Sequence, residues 1–354
     1  MAIDLTNFDP NSVGQKNNNI FGLPSSEENA ALVLLPVPWE VTVSYRPGTA
    51  RGPEHIFDSS LQIDLYDADV PNGWQKGFYM MPVDKNIRKK SDYLRQCAEL
   101  IISHLGDGGL VSENEQLAER LKEVNKGGLM LRNWVHEMTG AQLRAGKLVG
   151  VLGGDHSTPL GFIHALSEIH PDGFGVLQID AHADLREAYE GFTYSHASIM
   201  YNMLEEVPAV KKLVQVGIRD WCDEEMDYAR SQGDRVVQFT NQDIKERFFD
   251  GDTWKQVCND IVETLPQKVY ISFDIDGLDP KLCPNTGTPV PGGFEVEQIF
   301  YLFKQVIGSG RQLIGFDLNE VSCGEHSEGI DAIVGARVLY KLCNYMVAGN
   351  RDEG

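Results

Sequence analysis

Cysteine pairs, long apolar runs and a surplus of positive charge are all missing from this sequence. The six cysteines are scattered along 354 residues with no CxxC spacing, so neither a zinc ribbon nor a redox dithiol is indicated. Reduced thiols are the simplest interpretation. The first residues, MAIDLTNFDPNSVG, contain no hydrophobic signal core, and no stretch is long and apolar enough to span a bilayer. We therefore expect a cytoplasmic protein.

Lysine and arginine are scarce relative to the acidic residues. The sequence has 31 Lys and Arg against 52 Asp and Glu, a formal charge of −21. This balance argues against nucleic acid or an anionic membrane as a partner. It weakly favours a small cationic substrate, although many soluble proteins are acidic without a functional reason.

No proline-rich, serine-rich or low-complexity stretch divides the chain, so a single domain over residues 1–354 is expected. Residues 1–30 are interpreted as an N-terminal extension and 91–145 as a charged helical insertion. Leu117, Leu121 and Val124 have helical spacing there, whereas the GDGG and KGG segments are expected to break the helices. We interpret the insertion as surface helices or as helices of an oligomer contact.

Short β-branched apolar runs alternate with amphipathic helical patterns along most of the chain. The runs predict strands at 31–37, 147–154, 174–180, 212–218, 235–239, 268–276 and 313–321. Their apolar residues are continuous rather than alternating, which is typical of parallel strands buried on both faces. The sequence therefore predicts an α/β protein with three α/β/α layers and a mostly parallel sheet.

Polar motifs follow four of these runs directly. GGDHS follows the run at 147, DAHAD the run at 174, DIDGLDP the run at 268 and NEVS the run at 313. Ligands of parallel α/β sheets bind just beyond the carboxyl ends of the strands. We therefore expect these motifs to meet at one edge of the sheet and to form the functional site.

The four motifs would crowd ionisable side chains together. Alternation along a strand sends every second residue to one face, and the residues concerned are His156, Asp180, His182, Asp184, Asp274 and Asp276. Such a cluster is costly unless a metal, a salt-bridge network or an acid/base dyad neutralises it. DAHAD alone is compatible with a salt-bridge cluster, and DIDGLDP alone with a calcium-binding or turn-forming loop. Together they favour two divalent cations of the manganese type and a hydrolytic reaction.

The same motifs resemble a known family. GGDHS (153–157), DAHAD (180–184) and SFDIDGLDP (272–280) resemble the three metal signatures of the ureohydrolases, which include arginases and agmatinases. SYRPGTARGPEHI (44–56), TGTPVPGG (286–293) and NEVS (319–322) look like further motifs of agmatinases. The resemblance covers residues 30–347 and implies an arginase-like fold.

The resemblance also implies roles for individual residues. It assigns one metal to His156, Asp180, Asp184 and Asp274, and the other to Asp180, His182, Asp274 and Asp276. Mn²⁺ is the first choice for both metals, with Ni²⁺ or Co²⁺ as alternatives. The implied catalytic residues are His196 as the proton shuttle, Glu320 as the partner of the guanidinium group, and Asp184.

The implied reaction is hydrolysis of a guanidino group to urea and an amine, with agmatine, which gives putrescine, as the leading substrate. His196 argues against a formimidoylglutamase, and the LREAYEGFTY stretch differs from the Asn/Ser-rich stretch of arginases. Arg186 and Cys323 depart from the agmatinase pattern, so guanidine, with a nickel enzyme, and guanidino acids or formimidoylglutamate stay open as alternatives. By analogy with relatives, we expect a homo-oligomer, a trimer or a hexamer.

Two other classes of protein remain possible. A binuclear phosphoesterase also uses a DxH motif, but it needs more histidines at the strand ends than this chain offers, where His326 is the one further candidate. A metal-free binding protein would have lost some of the ligands, and none is missing from the motifs.

Overall fold

The apolar runs form one sheet of eight parallel strands in the computed structural model, which describes residues 5, 6, 8–324 and 329–350. The strands are β1 (Leu32–Val37), β2 (Phe78–Met80), β3 (Leu148–Gly153), β4 (Phe174–Ile179), β5 (Val210–Val216), β6 (Val236–Phe239), β7 (Lys268–Asp274) and β8 (Gln312–Asn319). Their order across the sheet is β2-β1-β3-β8-β7-β4-β5-β6.

Helices cover both faces of the sheet. They are α1 (Gly52–Ser60), α2 (Lys85–Gly106), α3 (Glu115–Arg144), α4 (Leu160–Ile169), α5 (Ile199–Glu206), α6 (Asp223–Ser231), α7 (Asn241–Phe249), α8 (Trp254–Thr264), α9 (Val296–Gly308) and α10 (Ile330–Ala348). One buried cluster joins the sheet to α1 and α7–α10, and a second joins it to α2–α6. The predicted three-layer α/β/α architecture is therefore confirmed.

The strand order explains how distant motifs can form one site. β3, β8, β7 and β4 are neighbours in the centre of the sheet, and each of them precedes one of the four polar motifs. The ends of these strands are level, because Leu152 pairs with Leu318, and Phe273 pairs with both Leu318 and Ile179. All four motifs consequently emerge at the same edge of the sheet, as predicted.

The helical region before β3 differs from its prediction in two ways. It begins at Lys85 rather than at 91, and the KGG segment does not break α3, which continues through Gly127 and Gly128. Both glycines are buried where α3 approaches its neighbours. A Cβ on Gly128 would lie 2.6 Å from the Cβ of Tyr194, so the glycine is retained for close packing rather than as a helix breaker.

The two long helices, α2 and α3, bury apolar side chains in the core, which helices confined to the surface would not do. Leu94 and Ile101 of α2 and Leu131 and Val135 of α3 are buried in the core on this face of the sheet. The pair therefore forms part of the covering layer. In the described part of the chain, no helix has the length and apolarity needed to cross a membrane.

Two further features were not anticipated from the sequence. β2 has only three residues and pairs with β1 at the edge of the sheet, which is too short a run to give a strand signal. Within the predicted N-terminal extension, Ile20, Phe21 and Leu23 are buried in the core. That segment is thus packed against the domain where the structure describes it.

Replacing Gly128 by alanine tests the close packing of α3. Alanine favours a helix by about 1 kcal/mol over glycine, but the new Cβ meets the fixed Cβ of Tyr194, and such overpacking costs about 1–3 kcal/mol. We expect Gly128→Ala to lower the free energy of unfolding measured by urea denaturation. Gly308→Ala is the matched control, because a Cβ there has nothing within 4 Å. Equal stability of the two variants would contradict this account.

Candidate metal centre

Asp180, His182 and Asp184 do not continue strand β4, contrary to the alternation expected from DAHAD. β4 ends one residue before Asp180, and Asp184 has a φ of 54°, which is uncommon for a residue other than glycine. His182 N–H donates to Asp180 Oδ1 at 2.7 Å. Ala181 N–H donates to Asp276 Oδ1 at 3.0 Å. The side chains thus converge through a turn that the carboxylates of the site themselves stabilise.

His156 gathers the first group of donor atoms. Its Nδ1 faces three carboxylate oxygens at 3.0, 3.0 and 3.3 Å, which belong to Asp180, Asp184 and Asp274. All four side chains are buried. The donor atoms of His156, Asp180 and Asp184 lie within 4.8 Å of one another, so these residues could hold one metal ion.

His182 gathers a second group that shares Asp180 with the first. His182 Nδ1 lies 3.0 Å from Asp276 Oδ2 and 3.7 Å from Asp180 Oδ1. The donor atoms of these three residues also lie within 4.8 Å of one another. Asp274 lies between the two groups, because its Oδ2 faces His156 while its Oδ1 accepts Asp276 N–H at 2.9 Å. The six predicted ligands are thus brought together, and their individual roles stay predictions.

The crowded carboxylates have strongly shifted pKa values. Burial raises the pKa of Asp184 to about 7, and the charge of Asp180 adds to the effect. Burial also raises the pKa of Asp274 well above its ordinary value, with repulsion from Asp276 and Asp180. Although burial disfavours a charged imidazole, the surrounding carboxylates raise the pKa of His156 well above its ordinary value. Divalent cations would stabilise the ionised form of these carboxylates, which burial and mutual repulsion disfavour.

The hydrogen bonds of His156 fit a metal ligand. His156 Nε2 lies 2.9 Å from Ser272 Oγ, and that hydroxyl donates to Asp317 Oδ1 at 3.1 Å. Because the serine proton is used on Asp317, the serine accepts the Nε2 proton. Although Nδ1 lies close to three carboxylate oxygens, it forms no well-aligned hydrogen bond with any of the described residues. In the neutral ring the lone pair of Nδ1 faces the carboxylates, while the hydrogen bond of Nε2 fixes the orientation of the ring. Histidine ligands of metals are commonly oriented in this way.

A ladder of three glutamines reaches the site from the side of the sheet. Gln178, Gln215 and Gln238 lie side by side on β4, β5 and β6. Gln238 donates to Gln215 at 2.8 Å, and Gln215 donates to Gln178 at 2.6 Å. Gln178 Nε2 then donates to Asp180 Oδ2 at 2.8 Å. The sequence analysis missed this ladder, although one glutamine in each of three apolar runs was a signal for it.

Glu320 follows β8 and lies in the wall of the same cavity. Its φ is 62°, and its backbone is fixed by the bond from Glu320 N–H to Gly154 O and by Thr286, whose hydroxyl donates to Glu320 O, both at 2.9 Å. Its Oε1 accepts His156 N–H at 2.9 Å. Burial and the charge of Asp155 raise the pKa of Glu320 well above its ordinary value. A bound cation would favour its ionised form.

His196 also borders the cavity. Its Nδ1 lies 3.3 Å from Thr42 Oγ1, and its ring is nearly perpendicular to the Tyr189 ring, with 6.0 Å between the ring centroids. Desolvation by burial and the charges of His182 and His156 lower the pKa of His196 to about 3. The sequence itself carries no information on this burial.

The cavity between these groups has a volume of about 280 Å³ and is lined by five of the six predicted ligands together with His196 and Glu320. Asp180 is fully buried and does not line the cavity. Tyr45, Trp221 and Asp220 border the opening, and their side chains are partly or largely exposed.

A second cavity, of about 920 Å³, lies between α2 and α3. We do not regard it as the active site, because solvated charged side chains line it and no residue of the metal cluster reaches it.

Arg186 also borders the cavity, but its charge is paired. Its Nε lies 3.6 Å from Glu225 Oε2, and its guanidinium stacks 4.9 Å from the centre of the Tyr189 ring. Glu225 is buried, and it accepts hydrogen bonds from the amides of Leu185 and Cys222 at 3.1 and 2.9 Å. Arg186 consequently presents less positive charge to the cavity than its position suggests.

Other charged residues of the motifs lie at the margin of the site or away from it. Asp155 supports the GGDHS turn by accepting hydrogen bonds from the amide and hydroxyl of Ser157. Asp279 accepts Lys281 N–H at 3.0 Å and shapes its own turn. Glu187 is exposed. His326 lies outside the described residues.

Comparisons with known proteins agree with this geometry. A model of the arginase family matches residues 30–344. An N(1)-aminopropylagmatine ureohydrolase of Thermus thermophilus is 32% identical over 299 residues, which cover 83% of this chain and 84% of that protein. The agmatinase of Halalkalibacterium halodurans is 28% identical over 302 residues, with 84% and 86% covered. The proclavaminate amidino hydrolase structure from Streptomyces clavuligerus shares the fold, with a TM-score of 0.71, 23% identity and 96% and 100% covered.

Metal content of two variants distinguishes a ligand from a substrate contact. We expect Asp274→Asn to lose most of its bound metal, because the amide removes a charge from the cluster. Glu320→Gln should retain metal close to the wild-type content, since Glu320 contacts the backbone of His156 rather than its ring. The measurement is metal per chain by elemental analysis after dialysis. Greater metal loss in Glu320→Gln would mean that the two assignments are exchanged.

Proposed function

The chain belongs to the arginase family, and from this premise we propose that it hydrolyses a guanidino group to urea and an amine with two divalent metal ions. Agmatine is the leading substrate, and it would give putrescine. Mn²⁺ is the proposed metal, with Ni²⁺ and Co²⁺ as alternatives.

One observation carries this proposal: a buried carboxylate that lies outside the metal cluster opens on the same cavity as the cluster. The Oε1 atom of Glu320 accepts a hydrogen bond from the His156 amide. Its Oε2 atom lies next to Gly287, where even a Cβ atom would come within 3.2 Å of it. A planar guanidinium matches a carboxylate through charge-assisted hydrogen bonds. Because Glu320 is fixed by its backbone contacts, it would orient such a group without reorganising.

The metals, when bound, would supply an activated water and stabilise charge that develops at the reacting carbon. Asp180 and the Ser272–Asp317 pair would keep the ligands in place. The lowered pKa of His196 means that its imidazole is neutral near pH 7 and that its protonated form would give up a proton readily. Thr42 contacts Nδ1, which leaves Nε2 to pass that proton to the departing amine.

The lining of the cavity supports a substrate with a second positive group. Asp220 lies at the opening with an exposed carboxylate, while the charge of Arg186 is paired with Glu225. A carboxylate tail, as in guanidinobutyrate or arginine, would therefore find little free positive charge. Relatives named for agmatine and for N(1)-aminopropylagmatine both fit a cationic tail, so the two compounds are to be compared directly.

Urea release from a panel of compounds tests the proposal. The panel contains agmatine, N(1)-aminopropylagmatine, guanidine, arginine, guanidinobutyrate and formimidoylglutamate, each with Mn²⁺, Ni²⁺ or Co²⁺ supplied in turn. We expect the highest kcat/KM with agmatine and Mn²⁺. Preference for guanidine with Ni²⁺ would support the guanidine alternative. Release of phosphate from an aryl ester, without urea from any compound of the panel, would contradict the proposal and favour a phosphoesterase.

Removing His196 separates proton transfer from metal binding. We expect His196→Ala to keep its bound metal, because His196 is not among the residues of either donor group. Its kcat should fall by about a hundredfold, which is typical for the loss of a general acid or base. Steady-state kinetics together with elemental analysis check both points. An unchanged rate would show that another group transfers the proton.

A further inference from the structure

A tight turn carries the wall of the cavity next to His196. Tyr189 and Phe192 exchange backbone hydrogen bonds of 3.2 and 2.8 Å across Glu190 and Gly191. Glu190 and Gly191 have φ values of 55° and 86°, so both central residues are left-handed, as in a type I′ turn. Phe192 is fully buried and anchors the turn on one side.

Asn125 of α3 holds the other side of this turn. Its Nδ2 donates to Gly191 O at 3.1 Å, and its Oδ1 accepts Thr193 N–H at 3.0 Å. One side-chain amide thus satisfies a backbone carbonyl and a backbone amide two residues apart, which needs both a donor and an acceptor. A Cβ on Gly191 would lie 3.0 Å from Leu121 of the same helix, so the turn lies directly against α3.

The turn delivers side chains to the active site. Tyr189, at its start, packs against His196 with nearly perpendicular rings and 6.0 Å between the ring centroids, and it lies under the Arg186 guanidinium at 4.9 Å. These three side chains line the cavity. A displacement of the turn would therefore move Tyr189 and release one of the contacts that orient His196.

We propose that Asn125 is a positioning residue, which fixes the turn at Tyr189–Thr193 and through Tyr189 sets the orientation of His196 for proton transfer. This inference rests on the proposed function. It gives the long helix α3 a role in the reaction, although no side chain of α3 lines the cavity. Aspartate cannot replace Asn125, because it lacks the donor for Gly191 O and would place a charge beside that carbonyl.

Asn125→Ala tests the proposal against a matched control. Asn259 of α8 is an exposed asparagine within a helix on the opposite face of the sheet, and Asn259→Ala brings the same change of helix propensity. We expect Asn125→Ala to keep its metal content and unfolding temperature but to lose about tenfold in kcat with little change in KM, because misplaced catalytic groups slow the reaction. Asn259→Ala should retain wild-type kinetics. Equal kcat values in the two variants would overturn the proposal.

A double-mutant cycle tests whether Asn125 acts through Tyr189. In a Tyr189→Ala background, Asn125→Ala should cost less than about twofold in kcat, because the contact that transmits its effect is already lost. The same tenfold loss in both backgrounds would show that Asn125 affects the reaction by another route, and the proposal would then be wrong.

Hydrogen exchange provides a readout that does not depend on activity. The Thr193 amide donates to Asn125, so its exchange should become faster in Asn125→Ala and stay unchanged in Asn259→Ala. Unchanged exchange in Asn125→Ala would overturn the proposal even if the wild-type enzyme releases urea. If the wild-type protein releases no urea, the proposed function fails, and faster exchange would still support Asn125 as the residue that holds the turn.

Discussion

The site depends on a buried carboxylate, Asp180, that the two donor groups share. Asp180 is fully buried, its Oδ2 faces His156 and accepts from Gln178, and its Oδ1 accepts the His182 amide. Among the described residues, it is common to the two groups of donor atoms that lie within 4.8 Å of one another. Burying a charge without a partner is costly, but amides and imidazoles surround this carboxylate and stabilise its charge. Its pKa therefore lies below the ordinary value despite burial.

The parallel sheet is what makes this concentration of charge possible. Four neighbouring strands end at the same level, so each contributes one to three polar side chains without a polar residue having to cross the apolar layers. The backbone of the DAHAD turn positions the ligand side chains, and its amides also donate hydrogen bonds to ligand carboxylates. The amide of Ala181, for example, donates to Asp276. Helices on both faces exclude water, which strengthens every electrostatic interaction inside. Stability and chemistry therefore depend on the same contacts.

Much of this arrangement could be predicted from the sequence, because its signals are local. Apolar runs gave seven of the eight strands, and the motifs after them gave the acids and histidines that the fold brings together. The order of the motifs also identified the family, which the match over residues 30–344 confirms. The edge strand β2 was missed because three residues give no pattern.

The remaining features depend on tertiary packing, which no local pattern records. The KGG segment predicts a helix break at Gly128, but in the structure the absence of a side chain at this glycine allows Tyr194 to pack directly against α3. Burial and the neighbouring imidazoles lower the pKa of His196 to about 3, and neither effect can be read from the residues around it in the sequence. The contact of Asn125 with Gly191 joins residues that are 66 positions apart, so only the folded chain reveals it.

Metal content of Asp180→Asn tests the central claim most directly. The account predicts that wild-type protein holds about two ions per chain and that Asp180→Asn, shown to be folded by circular dichroism, loses both ions because both groups share this carboxylate. Elemental analysis after dialysis gives the numbers. Retention of one ion at full occupancy by Asp180→Asn would contradict a shared ligand, and absence of bound metal from the wild-type protein would contradict the metal centre itself.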